Sequence, residues 1–345
     1  MTTMQSGDQR PLFVVDAKAS TGRIRRVEQL RRSIGGEVLV VGGLEDECRC
    51  AELGLRSVGG APARQLLATV EALRKANRAS GPIVCFAIEH ALALMDDAPR
   101  VVLVTEQKPV AHLDNSILSR LEVIASDAQI ARGYTHLGVV RTRVIPPCAL
   151  AAGAPGTRTG SIVCVSLHPG DGVGPPHDEE AMALMHLVGL ARHAGARLRV
   201  LMDRNDPTQE CVIDHAARCG QLDAVSLMRG NDVRAASSIA LIGFREAPMR
   251  DELVLDLAAQ SIVPVVLSAE LDDHAKEAGI LVSSIDHPRA SAAILMEFTR
   301  DSAVLRSAQQ RARAYAAGFT LAQWLRMMQD ALAPQPARNP SAASR

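Results

Sequence analysis

The fold is decided by one stretch of the sequence, Ser238 to Ser268, which reads SIALIGFREAPMRDELVLDLAAQSIVPVVLS. It predicts a short buried strand, a polar loop, a helix and a second apolar strand. In an open α/β sheet, the loop that leads from a strand into a helix is where ligands bind. Charged residues crowd this loop and the helix after it: Glu246, Arg250, Asp251, Glu252 and Asp256. The alternative is an ordinary solvated loop in front of a helix.

Length and charge indicate a two-domain protein that does not bind nucleic acid. The chain has 345 residues, which suits two α/β domains of ordinary size. Hydrophobic residues make up 47%, enough for two sizeable cores. The formal net charge is zero, whereas a nucleic-acid-binding protein gains affinity by neutralising phosphates with excess basic residues. A local pocket for one phosphate group is compatible with this balance.

The rare residue types argue against stacked bases, disulfides and a metal centre. One Trp and two Tyr leave few aromatic platforms on which bases or sugars could stack in series. The seven cysteines are scattered, and Cys48-Arg49-Cys50 is too tight a spacing for a metal knuckle. We therefore expect reduced thiols in a cytoplasmic protein, with no metal ion and no resident cofactor.

The sequence predicts no transmembrane segment. No apolar run approaches the roughly 20 residues that cross a bilayer. Residues 1–10 are polar and lack the apolar region of a signal peptide. Peripheral contact with a membrane surface is an open alternative, because one predicted helix carries a run of basic residues: Arg23, Arg25, Arg26, Arg31 and Arg32.

Short apolar runs alternate with helical patterns, which is typical of parallel sheets covered by helices on both faces. In the first half we predict strands at 11–16, 37–43, 55–58, 82–88, 100–105, 123–127 and 142–147, and helices after Gly22 and at 45–53 and 62–77. Residues 149–161, rich in Ala, Gly, Pro and Thr, show no periodicity and mark a boundary.

After this boundary the alternation begins again. Besides the two strands of the opening stretch, we predict strands at 162–167, 198–202, 224–227 and 279–282, and helices at 178–193, 208–219, 287–299 and 321–332. The predicted organisation is a disordered N-terminus at 1–10, a first domain at 11–150, a linker at 151–160, a second domain at 161–332 and a disordered tail at 333–345.

Five segments follow one order along the chain: Val123-Ile124-Ala125-Ser126 with Arg143-Val144-Ile145-Pro146-Pro147, Met228-Arg229-Gly230, Leu255-Asp256-Leu257-Ala258-Ala259 with Pro264-Val265-Val266, Gly279-Ile280-Leu281-Val282, and Phe319-Thr320-Leu321-Ala322-Gln323-Trp324. In this order the chain resembles a glycosyltransferase of the GT-B fold, in particular the retaining family-four type. The resemblance implies two Rossmann-like domains that face each other across a cleft, the first on the acceptor side and the second binding a nucleotide-sugar donor.

The resemblance implies a donor site in the second domain. It assigns that site to five residues: Arg229, Gly230, Glu246, Arg250 and Asp256. The two acids would hold the sugar and the ribose. Helix N-termini and arginines would stabilise the diphosphate, so that no metal is required.

The chain departs from the family pattern at this donor site. Pro248 stands eight residues before Asp256, where the family has a glutamate, and Glu246 replaces that acid only if the loop is longer. The loop from His168 to Gly174 lacks the fixed positive charges that the family places there. Arg229, Arg245 and Arg250 are candidate replacements.

In the first domain, acids and a histidine follow two apolar strands, where the resemblance places catalytic groups. The candidates are Glu89, His90 and Glu106. The alternative for His90 is a plain helix-start residue, and for Glu106 a cap on the next turn. The predicted acceptor or phosphate loop contains Lys18, Gly22 and Arg23, although it lacks the glycine pattern of a dinucleotide site and also fits a plain turn.

Two main functions follow as expectations. The first is a metal-independent, retaining hexosyltransferase that moves a sugar from a nucleotide sugar to a glycan, lipid or small-molecule acceptor, as in polysaccharide biosynthesis. The second is a GT-B pseudoenzyme that acts as a partner or regulatory subunit of an active transferase, because the donor motif is altered. A GT-B epimerase or phosphate-handling enzyme is a third class with the same architecture.

Overall fold

The structure is a computed structural model of the chain. It describes residues 10–16, 21–42, 56–59, 63–76, 80–96, 98, 100–106, 109, 115–150, 162–167, 178–204, 209–228, 236–243, 250–268, 281–284 and 288–333. Several predicted features lie outside these residues, namely nearly all of the N-terminus and the tail, the linker at 151–160, the helix at 45–53 and the loop from His168 to Gly174.

Thirteen strands and eleven α-helices are present in the described part of the chain. The strands are β1 Leu12–Asp16, β2 Glu37–Gly42, β3 Arg56–Gly59, β4 Ile83–Cys85, β5 Val101–Thr105, β6 Glu122–Ala125, β7 Arg141–Val144, β8 Ile162–Leu167, β9 Arg199–Asp203, β10 Val225–Met228, β11 Ile239–Gly243, β12 Val263–Ser268 and β13 Leu281–Ser284. The helices are α1 Thr21–Ile34, α2 Ala63–Lys75, α3 Ile88–Leu94, α4 Asn115–Leu118, α5 Ala128–His136, α6 Asp178–His193, α7 Gln209–Arg218, α8 Arg250–Ala259, α9 Pro288–Arg300, α10 Ser302–Ala317 and α11 Leu321–Leu332.

The chain forms two compact units. Unit 1 comprises Met1–Pro146 together with Ala322–Arg345, and unit 2 comprises Pro147–Leu321. The sequence-based boundaries differ from this division at the C-terminal end, because they assigned residues 321–332 to the second domain. Periodicity predicts that this segment is a helix, but not which core covers its apolar face.

Unit 1 contains a seven-stranded parallel sheet in the order β3-β2-β1-β4-β5-β6-β7. The interior strand β1 is buried along Leu12–Val15, with no exposed surface at these four residues. A continuous apolar run of this kind fits a strand with helices on both faces of the sheet. The face of α1 that packs against the sheet contains Ile24, Val27 and Leu30, spaced at helical intervals as predicted.

The turn between α1 and β2 depends on glycine. Gly36 has a φ of +102°, which is in the left-handed region, and a Cβ atom at this position would collide with the backbone oxygen of Pro11. Glu37 donates its backbone N–H to the same Pro11 oxygen. Close approach of the two backbones therefore starts the β1–β2 pairing.

A half-buried arginine attaches α11 to unit 1. The Arg100 guanidinium donates to the carbonyl oxygens of Ala331 at 2.9 Å and of Leu332 and Ala333 at 3.1 Å. Its other contact is an ion pair with Glu122 at 2.9 Å. A cation at the C-terminus of a helix satisfies carbonyls that have no partner within the helix and opposes the helix dipole.

Unit 2 contains a six-stranded parallel sheet in the order β10-β9-β8-β11-β12-β13. Its core contains β9, β11 and β12 with α6, and residues 239–241 of the opening stretch are fully buried. The predicted α/β class with two Rossmann-like domains is therefore confirmed. Four observed helices were not predicted from the sequence: α3, α4 and α5 in unit 1 and α10 in unit 2.

The C-terminus of α8 contains Ser261, the one residue other than glycine that has a positive φ (59°) within the described chain. The N–H of Ile262 donates to the oxygen of Leu257 at 3.0 Å and closes the helix end. Glycine is favoured at this kind of position because it has no Cβ atom.

Candidate functional site

Each sheet has a switch point, where consecutive crossovers go to opposite sides. In unit 1 it lies between β1 and β4, and in unit 2 between β8 and β11. Ligands of open α/β proteins bind outside the carboxyl ends of the strands at this point. These two edges are therefore the candidate ligand sites.

In unit 1, an ion pair crosses the switch point. Arg23 on the first turn of α1 and Glu106 after β5 lie 3.4 Å apart, with side chains 9% and 10% exposed. Because β4 lies between β1 and β5, this contact passes over the end of β4. Two residues that the sequence analysis placed in separate groups, one acceptor-side and one catalytic, are thus brought together.

His90 is the third residue of α3, which follows β4. The pKa of its imidazole is lowered, mainly because burial disfavours the charged form, while the carboxylates of Asp16 and Glu89 oppose this shift. Its Nδ1 atom is buried and has no hydrogen-bond partner among the described residues. A neutral imidazole at neutral pH is able to accept a proton. Glu89, the neighbouring candidate, is exposed.

Hydroxyl groups line the next two strands at the same edge. Tyr134 is 1% exposed and its pKa is raised, chiefly by burial, although a hydrogen bond to the Thr105 side chain opposes the shift. Ser126, which directly follows β6, donates its backbone N–H to the oxygen of Thr105 at 3.0 Å. Its Oγ is buried without a hydrogen-bond partner in the described part of the chain.

The other residues of the predicted acceptor loop contribute less to this group of side chains. Gly22 is the second residue of α1 and is half-buried. Lys18 lies outside the described residues. Of the three predicted loop residues, Arg23 is the one that the structure brings into contact with another candidate.

Two charged residues of unit 1 were not among the predicted site residues. Asp16 closes β1 and interacts electrostatically with His90. Arg26 on α1 is 1% exposed, which is rare for an arginine. The signal for Asp16 was available, because it closes an apolar strand in the same way as Glu106.

The buried arginines also change the interpretation of the basic run on α1. Arg23 and Arg26 point into unit 1, and Arg31 and Arg32 contact Glu28 at 2.7 and 3.0 Å. Arg25 is exposed and makes no ion pair with any residue that the structure describes. The run is therefore not one solvated basic face.

In unit 2, two buried carboxylates lie one turn apart on α8. Glu252 and Asp256 are each 8% exposed. Asp256 accepts a hydrogen bond from the backbone N–H of Leu150 at 2.9 Å, so one of its oxygens has a structural role. Glu252 lies nearer the start of α8, and the sequence analysis did not include it among the donor residues.

The other donor-site predictions fall at the start of α8 or outside the described residues. Arg250 is the first residue of α8. Arg229, Gly230 and Glu246 lie outside the described residues. Their proposed roles therefore stay predictions.

Within the described residues, no three His, Cys, Asp or Glu side chains form a group that could hold a metal ion. In the same part of the chain, no helix is both long enough and apolar enough to cross a bilayer.

The sequence matches no protein-family model. It also matches no curated protein.

Solved structures do resemble the chain over nearly its whole length. A glycosyltransferase from Rickettsia africae has a TM-score of 0.63 at 10% identity, covering 94% of this chain and 98% of its own. An E. coli trehalose-6-phosphate structure bound with UDP-2-fluoro glucose has a TM-score of 0.62 at 14% identity, covering 93% and 98%. S. aureus MnaA with UDP has a TM-score of 0.61 at 11% identity, covering 94% and 97%.

At these identities the similarity concerns the fold. The chain has the fold of GT-B proteins, and the resemblance predicted from the order of its segments is confirmed at that level.

Proposed function

We propose that this protein is a glycosyltransferase that moves a sugar from a nucleotide-sugar donor to an acceptor hydroxyl. The observation that carries the proposal is the group of Asp16, Arg23, His90 and Glu106 at the switch point of unit 1. It is supported by a fold similar to that of proteins whose structures contain UDP or UDP-2-fluoro glucose.

On this proposal, unit 2 binds the donor at the carboxyl edge of its sheet. Glu252 and Asp256 would accept hydrogen bonds from donor hydroxyls, since ionised carboxylates accept strong ones. The predicted donor residues Arg229, Gly230, Glu246 and Arg250 belong to the same proposal. The reaction breaks the bond between the anomeric carbon and a diphosphate oxygen, and the diphosphate leaves with the electron pair.

Unit 1 then binds the acceptor. The acceptor oxygen forms the new bond to the anomeric carbon, and its proton must leave. Neutral His90 is suited to take that proton, because burial keeps its imidazole uncharged at neutral pH. Glu106 is held by Arg23, so we assign it a positioning role rather than that of the base.

The finer features of the proposal rest on the family resemblance. They are retention of anomeric configuration, independence from metals and cofactors, a glycan or lipid acceptor in polysaccharide biosynthesis, and a cytoplasmic location.

Binding is tested by titration calorimetry of the full chain with UDP, GDP and ADP. We expect saturable binding of one of them at micromolar to millimolar concentrations. Loss of binding in Glu252→Gln, with binding kept in the exposed control Glu297→Gln, would support the donor edge of unit 2. No binding of any nucleoside diphosphate at millimolar concentration would refute the proposal.

Catalysis is tested by product analysis with a labelled nucleotide sugar. His90→Gln should lower turnover by about a hundredfold or more. His136→Gln is the matched control, because His136 is an exposed histidine of unit 1.

One observation favours the pseudoenzyme alternative. Asp256, the acid that the resemblance assigns to the donor ribose, is engaged by the backbone of Leu150. If the chain binds a second transferase and shows no turnover alone, it acts as a partner subunit. Turnover by the isolated chain would exclude this function.

A further inference from the structure

A cavity of about 780 Å³ lies in unit 2, at the opposite edge of the sheet from the proposed donor site. Its lining includes Arg199, the first residue of β9, and Ala224, directly before β10. All strands of this sheet are parallel, so the starts of β9 and β10 mark the amino edge. Ligand pockets typically measure about 300–1,000 Å³, so this cavity has the size of a small-molecule site.

The alternation of buried and exposed residues places two arginines at the cavity. From Ala196 to Val200 buried and exposed residues alternate, with Leu198 turned inward and 3% exposed. A period of two places Arg197 and Arg199 on the same side of this segment. Neither guanidinium has a hydrogen bond or an ion pair in the described part of the chain.

A third arginine is held rigidly beside them. Arg192 donates to Asp223 through both of its terminal nitrogens, at 3.0 and 2.7 Å, and to Gln221 at 2.6 Å. These contacts raise the pKa of Arg192 and lower that of Asp223, so both groups are charged. Asp223 is the one carboxylate among the lining residues.

The local charge balance remains positive. Three arginines face one carboxylate. The C-terminal end of α6 contributes a partial negative charge of about half a unit. Arg300 offsets it, because its guanidinium donates to the oxygen of Ala194 at 3.1 Å. An excess of unpaired guanidinium groups is suited to an anion with several oxygens, which arginine binds through two parallel hydrogen bonds.

We propose that this cavity binds a phosphate-bearing small molecule, with Arg197 and Arg199 as its ligands and Arg192 as a fixed charge at its side. The site is separate from the proposed donor edge, because it lies at the amino ends of the strands. It does not depend on the proposed transferase activity.

The test is titration calorimetry of the full chain with inorganic phosphate and pyrophosphate at constant ionic strength. We expect saturable binding that weakens by about tenfold or more in the double variant Arg197→Gln/Arg199→Gln. The matched control is Arg306→Gln/Arg313→Gln, which removes two exposed arginines of unit 2 that lie two turns apart on α10. It should change the affinity by less than about twofold.

Two results would overturn the proposal. One is the absence of saturable binding of either probe at millimolar concentration. The other is an equal loss of affinity in the double variant and the control, which would indicate general charge screening. UDP titrated into the double variant separates the two sites, since UDP affinity should be kept if UDP binds at the carboxyl edge.

Vesicles distinguish the source of the phosphate group. If the ligand is a lipid headgroup, wild-type protein should sediment with phosphatidylglycerol vesicles but not with phosphatidylcholine vesicles. The double variant should then no longer sediment with phosphatidylglycerol vesicles. Phosphate binding without sedimentation supports a free phosphate compound.

Discussion

The carboxyl edges of the two sheets hold their charged side chains in different ways. In unit 1, Arg23 and Glu106 come from elements that follow different strands, and they bind each other. In unit 2, Glu252 and Asp256 lie on one helix, and Asp256 binds the backbone of Leu150. Both sheets thus have a switch point at which a ligand could bind. In unit 1 the charged groups there bind another side chain, whereas in unit 2 Asp256 binds the main chain.

The largest expected effect on stability comes from breaking the ion pair between Arg23 and Glu106 in unit 1. Arg23→Met should lower the free energy of unfolding by about 3 kcal/mol, because it leaves the buried Glu106 carboxylate without this partner. Urea unfolding at neutral pH measures the change. Arg25→Met is the matched control, since Arg25 is exposed on the same helix and loses the same charge. Equal effects of the two variants would mean that the pair adds no stability.

The next effect is on the stability of unit 2 and concerns the hydrogen bond between Asp256 and Leu150. Asp256→Leu should lower the free energy of unfolding by about 2 kcal/mol, because the partly buried N–H of Leu150 loses its acceptor. Asp256→Asn keeps an acceptor oxygen and should cost less than about 1 kcal/mol. Urea unfolding gives both values. If both variants are equally unstable, the carboxylate charge rather than the hydrogen bond stabilises this edge.

A smaller effect compares two left-handed helix ends. Gly35 follows α1 with a φ of +80°, and Ser261 follows α8 with a φ of 59°. Gly35→Ala should destabilise the protein by about 1 kcal/mol, and Ser261→Gly should stabilise it by up to about 1 kcal/mol. Thermal unfolding measures both shifts. A Cβ atom at Gly35 meets no atom within 4 Å, so the backbone conformation alone sets that cost.

The smallest effect is the pH dependence of the free energy of unfolding that His90 causes. Its pKa is lowered in the folded protein, so below the ordinary value of about 6.5 the unfolded chain binds the proton first. Wild type should therefore lose stability relative to His90→Gln as the pH falls from about 7 to about 5. Urea midpoints across this range check it. A constant difference between the two proteins would contradict the burial of the imidazole.

Much of the fold followed from local pattern. The strand at Ile162–Leu167 and the helices at Asp178–His193 and Leu321–Leu332 have the bounds that the sequence predicted. Helix α10 was not predicted, because its buried face has one large apolar residue, Leu305. The other buried residues are Ala308, Gln309, Ala312 and Ala316, which contrast weakly with the polar face. Small buried residues give little hydrophobic periodicity to detect.

The candidate site followed from the sequence only in part. Glu106 and His90 were identified because they follow apolar strands, and the same rule applied to Asp16 would have added it. The contact between Arg23 and Glu106 could not be predicted, since 83 residues separate them and no local pattern encodes which helix start faces which strand end.

By itself, the sequence determined the alternation of strands and helices, the two parallel sheets and the absence of strong net charge. Apolar runs and helical spacing encode burial, and burial is a local property of each segment. Tertiary structure alone decided that Leu321–Leu332 joins unit 1, that Arg197 and Arg199 share a cavity with Arg192, and that the acid Asp256 is bound to Leu150. These pairings depend on the order of strands in the sheets, which brings together residues that are distant in sequence.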